Sequence, residues 1–183
     1  MNGVYEDVVF NLKMNLELKQ NIWKSDKNGL GFYCVNVIES STNNPNLSEL
    51  LQSEILKENE FGDVKSMNKS SKDDSNHYGA FLMDKINQSD FEKFDFNGLK
   101  DKIAEYWTDE DWGADLPIFK KNFDLVLSDL NKFELSTRNF YYINAEKTDS
   151  KKLTDPNFFT YLVCIISTEK ESNKIITLTF GLD

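Results

Sequence analysis

The sequence predicts an α+β domain built on a mainly antiparallel sheet. Three observations lead there: strand-like apolar runs near both ends of the chain, helical apolar stripes in its middle, and neither an internal repeat nor a linker that would split the 183 residues. Strands from the N-terminal and C-terminal parts then share one sheet, packed against a central group of about three helices. The whole chain, 1–183, is read as a single domain.

Between residues 8 and 18, Val8, Phe10, Leu12, Met14, Leu16 and Leu18 take every even position, with Asn11, Lys13, Asn15 and Glu17 between them. That is the pattern of a half-buried strand. Asp26, Lys27, Asn28 and Gly29 supply turn chemistry, because Asn-Gly accepts positive φ, and the β-branched and aromatic stretch 31–39 completes an antiparallel hairpin. Leu47, Leu50, Leu51 and Ile55 recur at helical spacing over 45–58, with Pro45 in the first turn. Residues 65–76 carry almost no apolar side chain and read as a mobile polar loop; 77–86 read as a third strand.

Residues 90–133 read as helical throughout. Leu99, Ile103, Tyr106 and Trp107 form one stripe after a cap at Asn97, and Phe119, Phe123, Val126, Leu127, Leu130 and Phe133 form a longer one, so two helices are joined across 108–115. Strands return at 140–144, 158–168 and 174–182, the last two as a hairpin. Because both faces of 158–168 are apolar, this strand belongs at the centre of the sheet, covered by helices on at least one side.

With 31 Asp+Glu against 21 Lys+Arg the formal net charge is −10, and Arg138 is the only arginine. Such a charge repels phosphate backbones and anionic lipid, so nucleic acid and membrane are excluded as partners and a basic protein is favoured. No apolar run approaches the roughly twenty residues of a spanning helix, and the N-terminus lacks the basic start and continuous apolar stretch of a secretory signal. The expected location is the cytoplasm. Cys34 and Cys164 lie inside apolar strand-like runs and read as two buried thiols rather than a disulfide.

Reactive chemistry has little to start from. The single imidazole, His77, rules out histidine-pair metal sites and makes any Ser/His or Cys/His nucleophilic site depend on one residue; it is read as an exposed histidine at the end of the polar loop. The eight glycines are scattered and neither phosphate-cradling glycine motif occurs, so no cofactor is expected.

The densest chemical feature lies between the two central helices, where Asp109, Glu110, Asp111 and Asp115 stand with Trp107 and Trp112 within ten residues. Asp109, Asp111 and Asp115 offer oxygen ligands, but Gly113 has the wrong offset for a calcium loop and no Glu holds the twelfth position, so no metal site is assigned. A structural reading has Asp115 capping the next helix, with Pro117 in its first turn and Trp107 in the core. Trp112, in contrast, is out of register with both stripes and ringed by acids. That is the composition of an aromatic anchor with a charged rim, and it makes Asp109, Glu110, Asp111, Trp112 and Asp115 the candidate partner-binding residues. A weaker candidate combines Asp84, Asp90, Glu92, Asp95 and Asp101 with Phe91, Phe94 and Phe96, whose rings are expected to be buried.

In style, a single acidic domain without catalytic signatures resembles the immunity proteins that bacteria keep beside secreted toxins. The likeness rests on no alignable stretch and carries over no residue. It implies a non-enzymatic inhibitor that occludes a basic protein partner. The alternatives are an enzyme using paired carboxylates, with or without a metal, and a self-assembling structural subunit.

Overall fold

The computed structural model describes residues 15–25, 31–53, 55–58, 77–108, 116–153 and 161–182. Six strands form one antiparallel sheet: β1 (Leu16–Ser25), β2 (Gly31–Ser40), β5 (Glu92–Phe94), β6 (Arg138–Asn144), β7 (Tyr161–Glu169) and β8 (Lys174–Leu182), in the order β1-β2-β8-β7-β6-β5. N-terminal and C-terminal strands therefore meet at the β2–β8 ladder, as the α+β reading requires. The doubly apolar strand, β7, lies between β8 and β6, and both of its faces are covered.

On the first face, Cys34, Ile38, Leu162, Ile166 and Ile175 pack against short pieces: α1 (Leu47–Leu51), α2 (Ile55–Glu58) and a small hairpin of β3 (His77–Tyr78) with β4 (Phe81–Leu82). On the second, Val35, Val163, Ile165, Leu178 and Phe180 pack against α3 (Phe96–Ala104) and α4 (Leu116–Leu130) through Leu99, Ile103, Phe123, Val126 and Leu130. Among the described residues no helix is long and apolar enough to cross a membrane.

Several elements depart from their expected form for local reasons. The helix expected over 45–58 breaks after α1. Asn46 caps its start, its Oδ1 accepting from Glu49 N at 2.8 Å, and the Ser53 hydroxyl donates to the Leu50 carbonyl at 2.6 Å, closing the helix where a continuing one would need that acceptor. The single strand expected over 77–86 is instead the two-residue pair β3 and β4, turned at Gly79, which holds φ +57. Residues 90–133 are not helical throughout. Glu92–Phe94 pairs with Phe140–Tyr142 as an edge strand, and α3 is capped by Asp95 rather than Asn97, the Asp95 carboxylate accepting from Gly98 N at 2.7 Å.

β1 carries a bulge. Leu18 pairs with Ile38 but Gln20 with Val37, so Lys19 has no partner on β2 and the alternation changes phase. Leu16 therefore packs on the first face, while Ile22 packs on the second. The even-numbered pattern of the sequence holds only up to this point, and its portion before residue 15 lies outside the described residues. So do the turn at 26–30 and the polar loop at 65–76.

Candidate functional site

The acidic segment, with Asp109, Glu110, Asp111, Trp112 and Asp115, lies outside the described residues, as do the side chains of Tyr106 and Trp107. Its two stems are described. On the N-terminal side, α3 buries Leu99 and Ile103 and runs into a 3-10 turn, Glu105–Thr108, closed by the Thr108 hydroxyl donating to the Glu105 carbonyl at 2.8 Å. On the other side, α4 begins at Leu116, which packs with Ile118 against the second-face cluster. The segment thus joins two helices anchored on the same face of the sheet.

The N-terminal stem is tied down electrostatically. Lys102 Nζ lies 3.1 Å from Glu105 and 3.4 Å from Glu92, with its ammonium 5.8 Å from the centre of the Tyr142 ring, and Lys147 approaches Glu105 at 3.6 Å. The hydrogen bond from Lys102 holds the Glu105 carboxyl below its ordinary range. For Lys102, burial opposes the charge, but the hydrogen bond to Glu105 and the nearby Glu92 outweigh it and raise the pKa. Glu105 is thereby neutralised by lysines.

Four acids of the second candidate are engaged within the fold, while Asp101 is exposed on α3. Asp90 forms a capping box with Asn87 and an ion pair with Lys152, Asp95 caps α3, Glu92 meets Lys102, and Asp84 meets Lys85 at 3.2 Å. Of its rings, Phe91 is buried on the first face; Phe94 and Phe96 are half-buried on the second, 6.2 Å from Tyr142 and 6.0 Å from Phe140 respectively.

The imidazole and both thiols are buried in the core. His77 is 5% exposed, not the exposed loop-end residue expected: the chain after the polar loop enters β3 directly, and His77 pairs with Leu82. Cys34 and Cys164 are free thiols on opposite sides of Thr179 in one row across β2, β8 and β7. Two strand spacings set their backbones about 9.6 Å apart, beyond the reach of a disulfide. Burial pushes Cys34 up to about 11, against a hydrogen bond from Asn21, and Cys164 up to about 12, against one from Thr179. Both are thiols, not thiolates, at neutral pH.

Sequence reasoning missed the role of Arg138. Its guanidinium is buried and donates to Ser167 Oγ at 2.9 Å, the Lys174 carbonyl at 2.7 Å and Glu169 at 3.1 Å, stitching β6, β7 and the start of β8 together. An arginine alone among twenty lysines was the available signal, because a bidentate fork suits such a buried junction better than an ammonium. Among the described residues no group of three or more His, Cys, Asp or Glu is placed to hold a metal ion. No protein-family model matches the chain, and neither a curated protein nor a solved structure matches it.

Proposed function

We propose that the protein is a non-enzymatic binding protein that occludes a basic protein partner, as immunity proteins do to toxins. One contrast supports this reading: the thiols, the imidazole and the guanidinium are buried, whereas every acidic residue whose burial is described is half-buried or exposed. Among the described residues, what faces solvent is therefore negative potential rather than a thiol, an imidazole or a guanidinium, and such potential speeds encounter with a cationic partner and disfavours others. The docking residues are Asp109, Glu110, Asp111, Trp112 and Asp115, between two anchored helices; the acids meet lysines or arginines and the indole fills a pocket.

The test is a titration against a cationic protein that co-purifies with the chain. The expected dissociation constant rises with salt, and Trp112→Ala combined with Asp111→Lys weakens binding by at least about 2 kcal/mol. Binding untouched by salt and by both substitutions overturns the reading. A tryptophan fluorescence change on titrating calcium, magnesium or manganese, lost in Asp111→Asn, would instead favour a metal-assisted carboxylate site.

A further inference from the structure

We infer that the bulge at Lys19 keeps the outer edge of β1 from pairing with the same edge of a second copy of this chain. Among the described residues the sheet has two margins. β5 offers only three residues, while β1 runs for ten with β2 on one side and no described strand on the other. An open edge of that length is a template for another strand, and β1 contains no proline to prevent it.

The edge is also adhesive. Leu18 is 36% exposed, one of only two large apolar side chains so exposed among the described residues. A second copy fits it: about a two-fold axis through Leu18, antiparallel pairing sets Leu18 against Leu18, Glu17 against Lys19 and Leu16 against Gln20 of the second copy, so no like charges meet. Without Lys19, Glu17 faces Gln20 of the second copy and the same holds.

What stands against this pairing is local geometry. The unpaired Lys19 bends the strand and interrupts the straight row of N–H and C=O groups that an incoming strand needs. The bend is pinned from both sides. Lys19 Nζ lies 2.6 Å from Glu17 and 3.8 Å from Glu39, so the Glu17–Lys19 pair that could join two chains is closed within one. Beyond the bulge, Gln20 accepts from Lys132 at 3.2 Å, a contact with the end of the helical layer that follows from the change of phase.

Deleting Lys19 removes the extra residue and leaves every other β1 side chain on its present face. The experiment is light scattering on the full chain from micromolar to millimolar concentration, with circular dichroism to check the fold. The wild-type chain is expected to stay at 21.2 kDa. The deletion variant should show a concentration-dependent doubling of mass, reversed by adding Leu18→Lys. If the deletion does not fold, deleting Gln20 instead, which removes the same extra residue by setting Lys19 opposite Val37, decides on the same readout. A folded variant lacking Lys19, or in its place a folded one lacking Gln20, that stays monomeric throughout overturns the inference, as does a wild-type chain that itself doubles in mass and is dissociated by Leu18→Lys.

Discussion

On the first face of the sheet, Cys34, Asn36, Thr177 and Thr179 put polar atoms in the middle of the core; on the second, Val35, Val163, Ile165 and Leu178 hold the middle and the polar atoms sit at the margins with Arg138 and Asn144. The polar middle is satisfied across strands. Asn21 donates to Asn36 at 2.6 Å, Asn36 to Thr177 at 3.2 Å, and Thr179 to Cys164 at 3.4 Å. The difference follows from the covers. A fifteen-residue amphipathic helix can bury a wide apolar area without directional contacts, whereas helices of five and four residues and a two-residue hairpin bury little each. We expect the second face to fail by lost volume and the first by lost geometry.

The largest expected effect is therefore on the second face. Phe123 is 2% exposed and its ring lies 5.9 Å from that of Phe180, beside a small apolar cavity lined by Leu99, Leu127, Ile165 and Leu178. Phe123→Ala enlarges a space that already fails to close, and should cost about 3–5 kcal/mol in urea unfolding. Phe123→Leu should recover more than half of that loss; if it recovers none, volume is not what this face depends on.

On the first face, the corresponding break needs only a methyl group. Gly79 holds φ +57, and a Cβ there would lie 2.9 Å from Cys164 Sγ. Gly79→Ala should cost about 2–3 kcal/mol, part from the left-handed backbone and part from the clash. Adding Cys164→Ala removes the clash alone, so the double variant should be more stable than the sum of the two single losses predicts. Strict additivity would mean that the turn, not the thiol, sets the limit.

Alkali should also select the first face. Both thiols titrate higher in the folded chain than at the ordinary value of 9.0, and burial, followed by the nearby Cys164, pushes the Tyr78 phenol well up too. A raised pKa means that the unfolded chain releases these protons first. Their contribution is complete below pH 9 and is lost as pH rises through about 11 and 12. The stability of the wild-type chain should fall over that range by a few kcal/mol more than that of Cys34→Ala/Cys164→Ala, measured as urea midpoints at each pH.

The same contrast decides what the sequence made legible. The stripe through Phe123, Val126 and Leu130 and the hairpin of β7 with β8 follow directly from periods of 3.6 and 2, because each is long enough for burial to dominate. α1 ended early through one serine hydroxyl, β5 is set by its partner β6, and the β1 bulge is fixed by β2 and by Lys132. Those are tertiary decisions, absent from any local pattern. His77 was misplaced for the same reason, since what buries it is the cover of the first face. In the candidate site, the acids and Trp112 were legible as composition, and the lysine ties of Glu105 were not, because Glu92 and Lys147 arrive from distant parts of the chain.

The smallest expected effect tests how the chain returns from the helical cover to the sheet. Glu134 holds φ 49 and ψ 59 between two 3-10 turns, just before β6, a conformation that costs a residue with a Cβ about 1–2 kcal/mol. Its carbonyl accepts from Thr137 N at 3.1 Å and from the Thr137 hydroxyl at 2.9 Å, and both contacts belong to the backbone, so glycine keeps them. Glycine also adds freedom to the unfolded chain, which offsets roughly 0.5–1 kcal/mol of the relief. Glu134→Gly should therefore stabilise by about 0.5 kcal/mol, read as a higher urea midpoint at unchanged slope. Glu134→Ala, which keeps the strain and removes only the carboxylate, should not. If the two variants shift together, the gain comes from lost negative charge in a chain of −10, and the backbone at Glu134 is not what limits this junction.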